Sequence, residues 1–454
     1  MGMKGTGWRL AIRSVAWLCA TACFAAVGSV DCAGLKPGKS MDRVKIENGG
    51  FSHADTGTEF IPYGANYCRL YNGYHSVFNV GWYNPETFDA MLVDLATNGM
   101  NVVRIFIDHR PEDPDGGIAM DGPELSKVFM TNVLDGLRRA RNHGVYVVIC
   151  FNGLPISEGY HQQFAEPVPM VGNDTHPAND PNCQHGNLQF LHPGAVRAKA
   201  EYVRRFVEFI QTKDASLLST VFSYELNNEA FFVASEPFNL TSGIFPFQGK
   251  SYDLSSAEAL RKLADDASVY WANACADAIH SVDSGALVSV NVFTYWAVGR
   301  KNLLQIRPGQ GAEWDREQRI PVSLKALAKS RLDYLDLHVY LHRVGESSVA
   351  EKMEETLSSV DFDGLVEAAA TAGKPLIMGE FAAFKDRARP LAQQTKDIRR
   401  QILLGWEKGF RGFMYWTYDT DEQPKIWNLK MNDSRMLHTM RECRKNIKSK
   451  QDKK

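Results

Sequence analysis

Between residues 60 and 419 the chain alternates short apolar runs with longer stretches of helical period. The runs are Phe60–Cys68, Asn101–Asp108, Val145–Phe151, Val221–Glu229, Ala286–Phe293, Leu332–Tyr340, Pro375–Phe381 and Gly412–Asp419. Most are near-continuous in apolar residues and do not alternate, which predicts parallel strands buried on both faces. The amphipathic stretches Pro85–Asn98, Ser126–His143, Val196–Thr212, Ala257–Val282 and Gln394–Lys408 predict helices between them. Asn98-Gly99 and His143-Gly144 place a glycine where a helix end turns left-handed. Eight strands parted by helical sequence predict a (β/α)8 TIM barrel over residues 45–435. An open doubly wound sheet is the competing architecture, and no G-x-G-x-x-G follows the first strand to support it.

The two sides of that barrel are unequal. Helix-to-strand links are mostly a few residues long. The strand-to-helix links include Asn152–Gly194, Ala230–Ser256 and Thr294–Val322. Long connections in a compact domain are usually functional, and these follow the strand ends where barrel active sites lie. Outside the barrel, residues 1–28 read as a signal peptide. Lys4, Arg9 and Arg13 precede the uncharged run Val15–Val27, with small residues at Ala26 and Gly28. A run of this length is too short to span a bilayer. Gly2 and Thr6 also fit a myristoylation pattern, but the apolar segment behind them favours export, so a secreted or periplasmic protein is expected. Residues 444–454 are basic, lack apolar periodicity and are expected to form a solvated tail.

Composition narrows the partners. The chain has 454 residues, 44% of them hydrophobic, and a formal net charge of −2, so it lacks the basic footprint of a nucleic-acid or anionic-membrane binder. Nine Trp, 16 Tyr and 24 Phe permit a cleft in which sugar rings stack. Six cysteines follow the leader, at 32, 68, 150, 183, 275 and 443, none in a C-x-x-C pair. One or two disulfides are open, while Cys150, inside an apolar run, reads as a buried thiol. Asp113 and Asp115 lack the full spacing of a calcium loop, and His176, His185 and His192 lack ligand spacing, so no metal is expected. Sequons begin at Asn173, Asn239 and Asn432.

Glu229 closes the fourth run and Glu380 the seventh, which puts two carboxyl groups on opposite walls of one barrel mouth. That arrangement suits glycosidic cleavage, in which one group protonates the leaving oxygen and the other attacks the anomeric carbon. Around them, YELNNE (Tyr224–Glu229), HVY (His338–Tyr340), GEF (Gly379–Phe381) and Tyr415-Trp416 resemble the strand signatures of glycoside hydrolase clan A, most of all family 5, the cellulase and β-mannanase family. The resemblance covers all eight strands. It implies a retaining β-glycosidase with Glu229 as acid/base and Glu380 as nucleophile. It also implies that Asn228 bonds the sugar 2-hydroxyl, Arg104 lies beneath the nucleophile and lowers its pKa, and His338 and Tyr340 line the −1 subsite, with Tyr340 donating to Glu380. Trp416 resembles the platform under that sugar. Asn66 is a further support residue, and Asn152 stands where many members carry histidine. Ala230 and Ala382 depart from the family's proline and glycine, which leaves the substrate open between β-glucan and β-mannan.

The residues alone leave other readings open. Arg104 can pair with Glu225 as a structural ion pair, and His338 and Trp416 can be core. A non-catalytic glycan-binding barrel keeps the fold without the chemistry. A transglycosylase or an exo-acting glycosidase on short oligosaccharides keeps both. The expected partner is a polysaccharide or oligosaccharide, with no cofactor, no membrane span and a monomeric chain.

Overall fold

The computed structural model describes residues 40–68, 76–157, 159–160, 187–233, 240, 242–293, 319–341, 346–360, 364–385, 389–418, 426–430 and 434–451. The signal-like segment, Cys32, Cys183, His176, His185 and all three sequon asparagines lie outside them.

Eight parallel strands form the predicted barrel. They are β1 (Tyr63–Asn66), β2 (Val102–Ile107), β3 (Tyr146–Phe151), β4 (Val221–Glu225), β5 (Val288–Ser289 with Asn291–Phe293), β6 (Leu335–His338), β7 (Leu376–Phe381) and β8 (Phe410–Tyr415). Hydrogen bonding runs in the order β4-β3-β2-β1-β8-β7-β6-β5. The fifth strand closes the ring in two pieces: Val288 and Ser289 pair with β4, and Asn291–Phe293 pair with β6. Helices alternate with the strands, and their starts are capped as the sequence suggests. Asn84, Ser126 and Ser256 accept from the backbone N–H three residues on, at 2.8, 3.0 and 3.3 Å.

Continuous apolar strands bury two different faces. On β2, Val103, Ile105 and Ile107 turn outward into the helical layer, while Val102 packs in the barrel floor. Arg104 and Phe106, on the same face as Val102, climb from there towards the mouth. A three-stranded antiparallel sheet (Val44–Glu47, Gly50–His53, Glu59–Phe60) plugs the floor. Phe51 meets Phe222 and Tyr334 edge-on at 5.2 and 5.7 Å, and Phe60 meets Tyr146 at 5.0 Å. At the mouth, Cys68, Phe106, Cys150, Ala382, Trp416 and Ile426 form a separate apolar patch.

Two expectations change, and the open reading of the cysteines narrows. The fourth strand ends at Glu225, not Glu229, and Glu229 sits in a turn with φ of +46°. The basic tail is not a solvated coil: Arg435–Gln451 is one helix, with Met436, Met440, Cys443 and Ile447 buried, so the barrel domain runs past 435 to 451. Its apolar stripe begins upstream of 444 and reaches only Ile447 inside the basic window, too little to show as periodicity. Cys68, Cys150, Cys275 and Cys443 are buried free thiols. On the β4 side, Ile244–Phe247 and Lys250–Asp253 form a hairpin, and Phe231–Val233 pairs with Arg319–Pro321. That pairing ties the long connection after β4 to the one after β5. No helix among the described residues is long and apolar enough to cross a membrane.

Candidate active site

The centre of the barrel is organised by one cation. Arg104, at 0% exposure, spends its whole guanidinium fork. Nε donates to Glu225 at 2.5 Å, one terminal nitrogen to Asn66 at 2.8 Å and Glu380 at 2.7 Å, and the other to Asn228 at 2.8 Å. The second terminal nitrogen also lies 3.1 Å from the Cys150 sulfur, and the Phe106 ring lies 4.5 Å from the guanidinium carbon. The structural ion pair with Glu225 and the contact beneath Glu380 are therefore both present. Asn66 braces the arrangement from the other side, donating to the Gly379 carbonyl at 3.0 Å. Arg104→Met would strand Glu225 without its cation. It is expected to cost about 3–5 kcal/mol, the scale of a broken buried pair, and Arg104→Lys should recover part of that because it keeps the charge and loses the fork. Denaturant midpoints equal to wild type would refute this bracing role.

Glu380 is held at both oxygens, by Arg104 and by the Tyr340 hydroxyl at 2.5 Å. Burial nonetheless pushes its carboxyl above the ordinary value, against the downward pull of Arg104 and Tyr340. This corrects the lowered pKa expected from the cation alone: desolvation outweighs it. Tyr340 is itself pushed well up by burial, so its hydroxyl stays a donor.

Glu229 lies across the mouth and is more open, with its side chain 23% exposed against 4% for Glu380. Its left-handed backbone is fixed by a hydrogen bond from its own N–H to Asn291 Oδ1 at 2.6 Å. Asn291 in turn donates to Glu225 at 2.9 Å. A continuous chain, Arg104–Glu225–Asn291–Glu229, thus couples the positions of the two glutamates. Between them stands His338, whose Nδ1 is 2.8 Å from Glu229 Oε1 and 3.3 Å from Glu380 Oε2. Burial pulls His338 down to about 4, so the ring is neutral near pH 7.

One ligand atom from each of Glu229, His338 and Glu380 lies within 4.8 Å of the others, the one grouping of this kind among the described residues. Such a set could hold a metal ion, but both Glu380 oxygens are already engaged and a buried guanidinium adjoins them, which disfavours a cation. His192 caps the Pro193–Asp214 helix through Nδ1, and Asp115 pairs with Arg110 at 3.2 Å, so each has a local role.

Trp416 is 6% exposed, edge-on to Phe106 at 6.0 Å in the apolar patch at the mouth. Asn152 is fully buried just past β3, and its carbonyl accepts from Lys199 at 2.9 Å. Lys199, which the sequence reading missed, also donates to the Gly153 carbonyl at 2.7 Å, and burial pulls its ammonium down to about 7. The reading also missed Asn291 and Asp336. Asn291 lies two residues after Ser289 in its apolar run, and Asp336 sits two residues before His338 on the same strand face.

The cellulase model, glycosyl hydrolase family 5, matches residues 63–421. The chain belongs to this family, and it is a glycoside hydrolase. Among solved structures, the endo-1,4-β-mannanase from Rhizomucor miehei is 14% identical, with a TM-score of 0.56 over 90% of this chain and 99% of that one. The exo-β-1,4-mannosidase from Opitutaceae bacterium strain TAV5 is 17% identical, with a TM-score of 0.55 over 89% of this chain. The present chain spans 63% of that longer protein. A family 5 mannosidase from Rhizomucor miehei is 15% identical, with a TM-score of 0.54 over 90% and 99%. At these identities the likeness shows the barrel fold. No curated protein sequence matches the chain.

Proposed function

We propose that this family 5 hydrolase cleaves β-mannosidic bonds with retention, with Glu380 as nucleophile and Glu229 as acid/base. The observation that carries the reading is the approach of the two carboxyl groups, with oxygens within 4.8 Å and His338 between them. Retaining enzymes hold these groups at about 5–5.5 Å, whereas inverting ones leave about 6.5–9.5 Å for a water. Glu380 attacks the anomeric carbon, and Arg104 and Tyr340 stabilise its ionised form. Glu229, on the open side, protonates the leaving oxygen and then deprotonates the water that releases the sugar. Asn228 gives its carbonyl oxygen to Arg104, which leaves its amide N–H groups to meet the sugar 2-hydroxyl. That contact strengthens as the oxocarbenium ion develops.

Mannosides are favoured over glucans because the solved structures named above are an endo-1,4-β-mannanase, an exo-β-1,4-mannosidase and a family 5 mannosidase. The signal-like N-terminus suits a glycan met outside the cell. A panel of β-mannan, β-glucan, xylan and the matching aryl glycosides tests the substrate, with the first-formed anomer read by proton NMR. The expected result is hydrolysis of the mannosides with the β-anomer appearing first. A first-formed α-anomer overturns retention, and preference for glucan overturns the substrate. Inertness towards every glycoside in the panel would favour the glycan-binding reading.

A further inference from the structure

Three buried carboxyl groups crowd the single guanidinium of the barrel axis. Glu225 from β4, Asp336 from β6 and Glu380 from β7 are each at most 3% exposed, and Arg104 from β2 is the cation. The other titratable groups facing this cluster add no positive charge. Burial pulls His338, on the same strand as Asp336, down to about 4. It pushes Cys150 of β3 and Tyr334, at the foot of β6, well up. Three carboxylates against one cation would leave two negative charges uncompensated in a dry interior, which is strongly unfavourable.

Arg104 pairs with two of the three, Glu225 and Glu380. Asp336 is placed differently. Its Oδ1 accepts from the Gly379 backbone N–H at 2.8 Å, and its Oδ2 receives no donor. Glu225 is the carboxyl group whose charge acts most strongly on Asp336. An ionised Asp336 would hold that bare oxygen against the Glu225 charge with no cation of its own, and two carboxyl groups can hydrogen-bond only if one carries a proton. Glu225 already accepts from Arg104 and Asn291, and lies 3.5 Å from the Tyr334 hydroxyl. The proton therefore belongs on Asp336 Oδ2.

We infer that Asp336 is a standing carboxylic acid that donates to Glu225 beneath the active site, a positioning residue that frees the charge of Arg104 for Glu380. Burial first, then Glu225, pushes Asp336 well above the ordinary carboxylate range, while Arg104 opposes this. Were Asp336 ionised, its charge would compete for the same guanidinium, and Glu380 would hold its own proton to higher pH. The proton assignment stands by itself. Its effect on catalysis rests on the roles proposed above for Glu380 and Glu229.

Carbon-13 labelling of aspartate carboxyl carbons tests the assignment on the whole, unmutated chain. One resonance is expected to stay at the unionised position well above the ordinary carboxylate range, and to be missing from Asp336→Asn. Asparagine offers an oxygen to Gly379 and an N–H to Glu225, so this variant copies the protonated acid. It should keep kcat/KM within about threefold and leave the acid limb of the pH profile in place. Asp336→Leu, which has neither group, should move that limb up by about one pH unit, as Glu225 draws Arg104 away from Glu380. Titration of every aspartate resonance in the acid range overturns the proposal, whatever the activity. An acid limb displaced in Asp336→Asn overturns the positioning role. A protonated resonance in a chain that hydrolyses no glycoside upholds the proton and removes only the catalytic reading.

Discussion

Glu380→Ala is expected to lower cleavage of an aryl β-glycoside by a factor on the order of 10⁶, the scale seen when a covalent nucleophile is deleted. The fold should survive, because Arg104 keeps Glu225, Asn66 and Asn228 as partners when Glu380 is gone. Tyr340 loses its acceptor, but it lies beside the open mouth where water can replace the carboxylate. The vacated volume is the size of a small anion and faces the buried guanidinium. Azide should enter it and attack the β-substrate directly, giving the α-glycosyl azide. Hydrolysis near the wild-type rate without azide would remove Glu380 from the mechanism.

The barrel was legible because its strands are buried on both faces, so the apolar runs report them with little interference. What the runs concealed was where a strand stops. YELNNE reads as one strand to Glu229, but the sheet ends at Glu225, where that side chain turns to Arg104 and the chain swings away. The turn needs a left-handed residue, and glutamate gives no sign of one. Asn291, on the neighbouring strand, accepts from the Glu229 N–H in that turn, and a contact across 62 residues has no local signature. The break in β5 arises because its first half pairs with β4 and its second with β6, a consequence of ring closure that one strand's pattern cannot show.

The site was legible to the extent that it is built of strand-end residues at a two-residue spacing. His338 and Tyr340 share a face, and the structure places both against Glu380. The order of burial was not legible. The cation beneath Glu380 suggested a lowered pKa, whereas enclosure by β6, β7 and the Arg104 network desolvates that carboxyl more than Glu229. Lys199 escaped notice because it lies on a helix, in a pattern that reads as an ordinary polar position. Its amine reaches inward only because Phe151 and Tyr202, with ring centres 5.6 and 5.4 Å away, wall the path to the Asn152 and Gly153 carbonyls.

The complementary experiment assigns the second glutamate. Glu229→Ala should still form the glycosyl-enzyme from a substrate whose leaving group needs little protonation, because Glu380, Arg104 and Tyr340 are untouched. Its steady-state rate should fall by about 10²–10⁴, the usual contribution of a general acid/base, because no group remains to activate the water. A burst of leaving group, followed by a stalled phase, is the expected time course. Azide needs no base and fits the space left by the carboxyl group, so it should restore turnover. It would attack an α-linked intermediate and give the β-glycosyl azide, the opposite anomer to that from Glu380→Ala. Proton NMR of the two products then separates the roles without reference to absolute rates. Interchanged anomers would exchange the assignments of Glu229 and Glu380. An absence of rescue in Glu229→Ala, with full hydrolysis retained, would show that the carboxyl group beside His338 takes no part in proton transfer.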